Sequence, residues 1–174
     1  MGSNQWMQMV VNRYESRLVG YTCRFLPLEE AREVVQESLI RAWKSEQDGK
    51  PVEIPPWLYK VCRNLAFDRL KKEGRMRVFD EGEEEGLVDP APLTSEVIES
   101  LQLDEAIRRC MKVLSPKAQE ALRLKFQEDL SYKEISEVMN ESVSNVGVLI
   151  FEGLKKLRGH LEAPILAKSQ RSQS

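Results

Sequence analysis

Between Asp80 and Glu99 the chain carries eight acidic residues and no Lys or Arg, and Gly82, Gly86, Pro90 and Pro92 interrupt the run. Like charges repel one another and these breakers oppose helix, so residues 77–94 are expected to form a flexible acidic linker. In a chain of 174 residues that leaves two small lobes, 1–76 and 95–162, followed by a tail, 163–174. An apolar fraction of 41% is enough for two cores, while 31% charged residues argue against a membrane protein or general disorder. No apolar run approaches the roughly 20 residues that cross a bilayer, and the N-terminus lacks the basic-then-apolar order of a secretory leader. The expected location is cytoplasmic, without membrane contact.

Catalytic chemistry finds little support. The chain has one histidine, His160, no serine or cysteine in a nucleophile setting, and no glycine-rich phosphate loop. Cys23, Cys62 and Cys110 are widely spaced and show no metal-ligand or redox spacing, so they are expected as reduced, mostly packed thiols. Neither a metal nor a cofactor is expected, and the chain is not expected to be an enzyme.

Apolar residues recur every three or four positions in both lobes, with no sustained two-residue alternation, which predicts an all-α fold. In the first lobe Trp6, Val10, Tyr14, Leu18, Tyr21 and Phe25 line one face of a helix that Pro27 is expected to end. A second helix spans about 28–44, with Ala31, Val34, Val35, Leu39, Ala42 and Trp43 on its apolar side and Glu30, Glu33, Gln36, Glu37, Ser38 and Arg41 on its polar side. Residues 45–55 read as a loop, and Pro56 opens a third helix to Lys72 with Leu58, Val61, Cys62, Leu65 and Leu70 inward. The second lobe begins with a poorly delimited helix over 95–113. Ser115-Pro116 then caps one carrying Ala118, Leu122 and Phe126. Ser131-Tyr132-Lys133-Glu134 is a capping box opening a short helix that Asn140 ends. Ser142 or Ser144 caps a longer helix to about Leu161, which Gly153 weakens without ending.

A short helix, a tight turn and a longer helix form the pattern of a helix-turn-helix, a unit that other helical hairpins also share. Ile135, Ser136, Met139, Val143, Val146 and Ile150 fall where its helix–helix contact needs small or apolar residues. Charge adds a second pointer. From Trp57 to Arg77 seven basic residues face two acidic ones, a net +5, and a phosphate backbone is the natural partner for such a strip. At its head Trp57 and Tyr59 either stack on unpaired bases or pack in the core, with Trp57 the better core candidate and Tyr59 the better platform.

Two strings, Val34-Val35-Gln36-Glu37-Ser38-Leu39-Ile40-Arg41-Ala42-Trp43 and Trp57-Leu58-Tyr59-Lys60-Val61-Cys62-Arg63-Asn64-Leu65-Ala66-Phe67-Asp68-Arg69-Leu70, closely resemble bacterial sigma factors of the extracytoplasmic-function type. The resemblance extends to Leu114-Ser115-Pro116, Leu130-Ser131-Tyr132-Lys133-Glu134-Ile135 and Leu154-Lys155-Lys156-Leu157-Arg158, covering both lobes in order. It implies a transcription initiation factor that binds core RNA polymerase, on the clamp helices of its largest subunit and on its flap, and directs it to promoter DNA. Glu33, Gln36, Glu37 and Arg41 are the implied polymerase contacts. Asp48, Lys50, Trp57, Tyr59, Lys60, Arg63, Asn64 and Arg69 are the implied set for the melted minus-ten strand. Ser131, Tyr132, Lys133, Ser142, Ser144, Asn145, Val148, Lys155 and Lys156 are the set for the minus-thirty-five element. An anti-sigma or other inhibitory protein is a further implied partner. In such proteins the connector passes near the RNA exit path, so the linker acts either as an RNA-like acidic segment or simply as a solvated tether.

Two departures from the family pattern stand out. The loop Glu46-Gln47-Asp48-Gly49-Lys50-Pro51-Val52-Glu53-Ile54 lacks the usual aromatic and arginine, leaving the base choice there open. The helix-turn-helix segment, 131–161, has four basic and four acidic residues, and places Gly147, Val148, Leu149, Phe151 and Glu152 where the family commonly has basic and hydroxyl side chains. If Val146, Ile150 and Leu157 are the buried stripe, Val148, Leu149 and Phe151 are partly exposed. They then meet thymine methyl groups, are covered by protein, or widen the core. Competing readings are a helix-turn-helix regulator that does not dock on polymerase and a helical protein–protein adaptor that has lost DNA binding.

Overall fold

The computed structural model describes residues 2–75 and 111–171, with side-chain surroundings to residue 160. The acidic linker, most of the helix expected over 95–113, and Cys110 lie outside the described residues. The chain divides into two compact units, residues 1–102 and 103–174.

Helices α1 (Ser3–Thr22), α2 (Leu28–Gln47) and α3 (Pro56–Lys72) build the first unit, each packing on the other two. Leu18, Ala31, Val34, Val35, Leu58, Tyr59, Cys62 and Ala66 form its centre, each with at most 1% of its surface exposed. Helix α1 stops at Thr22, five residues before Pro27, because the chain turns sharply there: the Phe25 and Leu26 amides both donate to the Thr22 carbonyl. Phe25 is therefore buried from a turn rather than from a helix face, with its ring edge-on to Tyr21 (5.3 Å) and Phe67 (5.1 Å).

Helices α2 and α3 end in the same way. Gly49 (φ +68°) follows α2, its amide donating to Glu46 and that of Lys50 to Ser45. Gly74 (φ +71°) follows α3, its amide donating to Lys71 and that of Arg75 to Leu70. This is the Schellman arrangement, which needs a residue at ease with positive φ. It carries α2 to Gln47, beyond the expected Lys44.

Helices α4 (Pro116–Phe126), α5 (Tyr132–Met139) and α6 (Val143–Arg171) pack together in the second unit. Ser115 caps α4 by accepting from the Ala118 amide, and Pro116 takes the first helical position. Ser131 and Glu134 form the expected capping box, and Asn140 closes α5 in the left-handed conformation (φ 54°). Ala121, Leu124, Ile135, Val138, Val146 and Ile150 form the centre of this core. Gly153 continues the stripe of Val146 and Ile150: a Cβ there would lie 2.9 Å from Leu122 Cδ1, so the glycine permits α6 to approach α4. Among the described residues there is no strand, and no helix is long and apolar enough to cross a membrane.

Candidate nucleic-acid and polymerase interfaces

Helix α2 turns Glu33, Gln36 and Arg41 to solvent, with Glu37 half-buried and bonded to Arg41 one turn on. Ser38, placed on the polar side from sequence, is buried instead. Its hydroxyl donates to the Val34 carbonyl (2.8 Å) and accepts from the Cys62 thiol (3.2 Å), so this small polar group satisfies itself inside the α2–α3 contact. The reverse holds for Trp43, expected inward but 38% exposed, and Ile40 is 50% exposed. Two large apolar side chains thus share the outer surface of α2 with Gln36 and Arg41.

Helix α3 corrects two expected roles. Tyr59 is fully buried, its ring edge-on to Tyr21 at 5.1 Å, and has no open face on which a base could stack. Trp57, expected in the core, is only half-buried, so of these two aromatics it is the one with accessible surface. Arg63 is 7% exposed, with its guanidinium 4.1 Å from the Phe67 ring centroid, where a cation–π contact offsets its desolvation; it does not reach out to a phosphate. Arg69, from the minus-ten set, bonds to Glu33, from the polymerase set, at 2.8 Å, tying α3 to α2. Arg75 is engaged by Glu30 (3.0 Å) and by Glu73. What α3 offers to solvent is Lys60, Asn64, Lys71 and Lys72, with Asp68 among them. Asp48 and Lys50 are exposed at the start of the loop, where the Lys50 carbonyl accepts from the Ser45 hydroxyl. Burial pushes the Cys62 thiol up to about 11, partly offset by the Ser38 hydroxyl.

In the second unit Ser131 and Ser142 serve as helix caps: Ser131 accepts from the Glu134 amide and Ser142 from the Asn145 amide (3.1 Å). Tyr132 is 41% exposed, with Lys125 over its ring at 5.6 Å, and Lys133, Ser144, Lys155 and Lys156 are exposed. Val148 is 57%, Phe151 66% and Leu154 41% exposed, so these residues do not widen the core among the described residues. Asn145 is half-buried and donates through Nδ2 to Glu141 (2.6 Å), a partner that the sequence reading missed. The unit is thus a helix-turn-helix, with residues 140–142 as its turn and α6 as the helix whose first turn can enter a groove. No group of residues suited to holding a metal ion occurs among the described residues.

Comparison with known proteins places this architecture. The Sigma-70 region 2 family matches residues 10–76, and the Sigma-70 region 4 family matches residues 104–157. The chain is 30% identical over 131 residues to RNA polymerase sigma factor SigV of Bacillus subtilis, covering 75% of each chain. It is 28% identical over 162 residues to ECF RNA polymerase sigma factor SigW of the same organism, covering 87% of each. Among solved structures, the sigma factor RpoE in complex with the anti-sigma factor NepR from Bartonella quintana shares the fold, with a TM-score of 0.62, 20% identity, and coverage of 89% of this chain and 96% of that one. The chain belongs to the extracytoplasmic-function group of the sigma-70 family.

Proposed function

We propose that this chain is a transcription initiation factor that binds core RNA polymerase and directs it to promoter DNA. The observation that carries the proposal is the pairing, in one chain, of a region 2 unit over 10–76 with a region 4 helix-turn-helix over 104–157. A stand-alone helix-turn-helix regulator or a helical adaptor leaves the first unit unexplained, and neither is favoured.

Within that reading, residues 1–76 dock on polymerase and capture the melted minus-ten strand, 77–94 connect, and 95–162 read the minus-thirty-five element. The exposed Gln36 and Arg41, with Glu37, supply polar contacts on α2, and Ile40 and Trp43 supply the apolar area that an interface core requires. Trp57 stacks on an unpaired base while Lys60, Asn64 and Lys71 follow the strand backbone; Asp48 and Lys50 flank the base pocket. In the second unit Ser144 and Asn145 meet base edges, Val148 and Phe151 meet thymine methyl groups, and Lys155 and Lys156 meet phosphate. An inhibitory protein of the anti-sigma kind is a partner suited to the apolar outer face of α6, which competes for the same surface.

With a net charge of −2, the chain alone is a poor polyanion binder, and its full affinity for promoter DNA is expected only with polymerase present. Gel-shift titration with duplex promoter DNA should therefore show weak binding by the chain alone and tight, salt-sensitive binding once core polymerase is added. Tight, specific binding without polymerase would favour the regulator reading instead.

A further inference from the structure

The turn of the helix-turn-helix contains one acidic residue, Glu141, whose side chain is only 18% exposed. Its two carboxylate oxygens reach to both sides of the turn. Oε1 accepts from Lys117 Nζ of α4 at 2.8 Å, and Oε2 accepts from Asn145 Nδ2 in the first turn of α6 at 2.6 Å. The Asn145 backbone is fixed as well, because its amide donates to the Ser142 hydroxyl oxygen at 3.1 Å. The residue is therefore held at both its backbone and its side-chain nitrogen, although it is only half-buried.

A carboxamide can usually be turned end for end at little cost, and the turn exchanges a donor for an acceptor. Here the exchange is opposed. A carboxylate accepts and cannot donate, so turning Asn145 over would set its oxygen against Glu141 Oε2, and the two would repel. When the hydrogen committed to Glu141 is the one turned away from Oδ1, the second hydrogen and Oδ1 form a side-by-side donor and acceptor. Adenine presents the matching pair in the major groove, the N7 acceptor and the N6 amino donor.

We infer that Glu141 is a positioning residue that fixes the Asn145 amide for an adenine of the upstream promoter element, with Lys117 neutralising the carboxylate. The inference rests on the proposed reading of that element by the second unit. Lys117 has a second consequence: it lowers the repulsion that an unpaired carboxylate at this place would exert on an approaching phosphate backbone.

The test uses holoenzyme reconstituted with the full chain and a promoter library randomised across the upstream element, reading base preference at each position. Asn145→Ala should abolish an adenine preference at one position, a loss of about tenfold, the size expected for one bidentate base contact. Glu141→Ala should reduce the preference at that same position by at least about threefold and leave the others unchanged, and combining it with Asn145→Ala should add little, as two members of one network do. Glu141→Gln keeps the shape of the side chain but can donate as well as accept, so it no longer opposes the reversed amide and should also weaken the preference at that position, while its near-isosteric fit controls for a fold defect in the alanine variant. Equal losses at every sequence with Glu141→Ala would make Glu141 merely structural and overturn the inference, as would an unaltered adenine preference. Wild-type holoenzyme with no base preference anywhere in the element would instead refute the parent reading.

Discussion

The first unit engages Arg63 and Arg69 of α3, and Arg75 just beyond it, in contacts of its own, whereas the second leaves large apolar side chains of α6 in solvent. Arg63 lies over Phe67, Arg69 bonds to Glu33 and Arg75 to Glu30, so these guanidiniums join α3 to itself and tie α3 and the turn after it to α2. On α6, Val148, Phe151 and Leu154 are exposed in a segment, 131–161, whose charges cancel. Net charge is therefore a poor guide to what a helix leaves available on its surface. A basic helix can use much of its charge internally, and a neutral one can recognise bases through methyl contacts and a few oriented polar groups.

The sharpest way to break this contrast is at the adjacent aromatics Trp57 and Tyr59. Tyr59→Ala should cost the first unit about 3–5 kcal/mol, the range for emptying a large aromatic site, while Trp57→Ala should cost far less, as followed by denaturant unfolding. Similar costs for both would restore Tyr59 as a candidate platform. The matching change in the second unit is Gly153→Val, which makes the Leu122 side chain shift and should cost about 1–3 kcal/mol. Its effect should be confined to the second unit, read by unit-resolved hydrogen exchange, and equal loosening of both units would deny their independence.

A third effect belongs to the first unit alone among the described residues. The Cys62 thiol is raised from 9.0 to about 11, so between those values the native state holds a proton that the unfolded chain has lost. Stability is then fully present below pH 9.0 and falls as pH rises toward 11, by roughly 2 kcal/mol, and Cys62→Ala should flatten this slope. An unchanged slope would place the titration elsewhere. Smaller still, Ile40→Ala with Trp43→Ala should weaken polymerase association by about 1–2 kcal/mol while leaving the unfolding midpoint of the first unit nearly unchanged. Unaltered association would move the docking surface off this face of α2.

Local signals announced the helices and several of their ends. Pro56, Ser115-Pro116, the Ser131–Glu134 capping box and Asn140 each act through a backbone bond or a fixed dihedral angle that one residue can specify. Phase around a helix was harder to read. Helix α3 is apolar at Trp57, Leu58, Tyr59, Val61, Cys62 and Leu65, a stripe so wide that spacing alone does not decide which neighbouring aromatic faces inward. Ser38 and Arg63 misled for a related reason: each is polar yet has a specific buried seat, one on the Val34 carbonyl and the other on the Phe67 ring. The bridge from Lys117 through Glu141 to Asn145 joins α4, the turn and α6, and only the tertiary fold brings these residues together.

Run-off transcription probes the proposed division of labour between two reading units on one polymerase. Core RNA polymerase, purified chain and a template library randomised over both promoter elements would be combined and the initiating sequences recovered. Chain-dependent initiation is expected at templates sharing two separate sequence elements, with Trp57→Ala relaxing selection only in the downstream element and Asn145→Ala only in the upstream one. Initiation that does not depend on the chain, or a loss of selection in both elements from either change, would contradict this division.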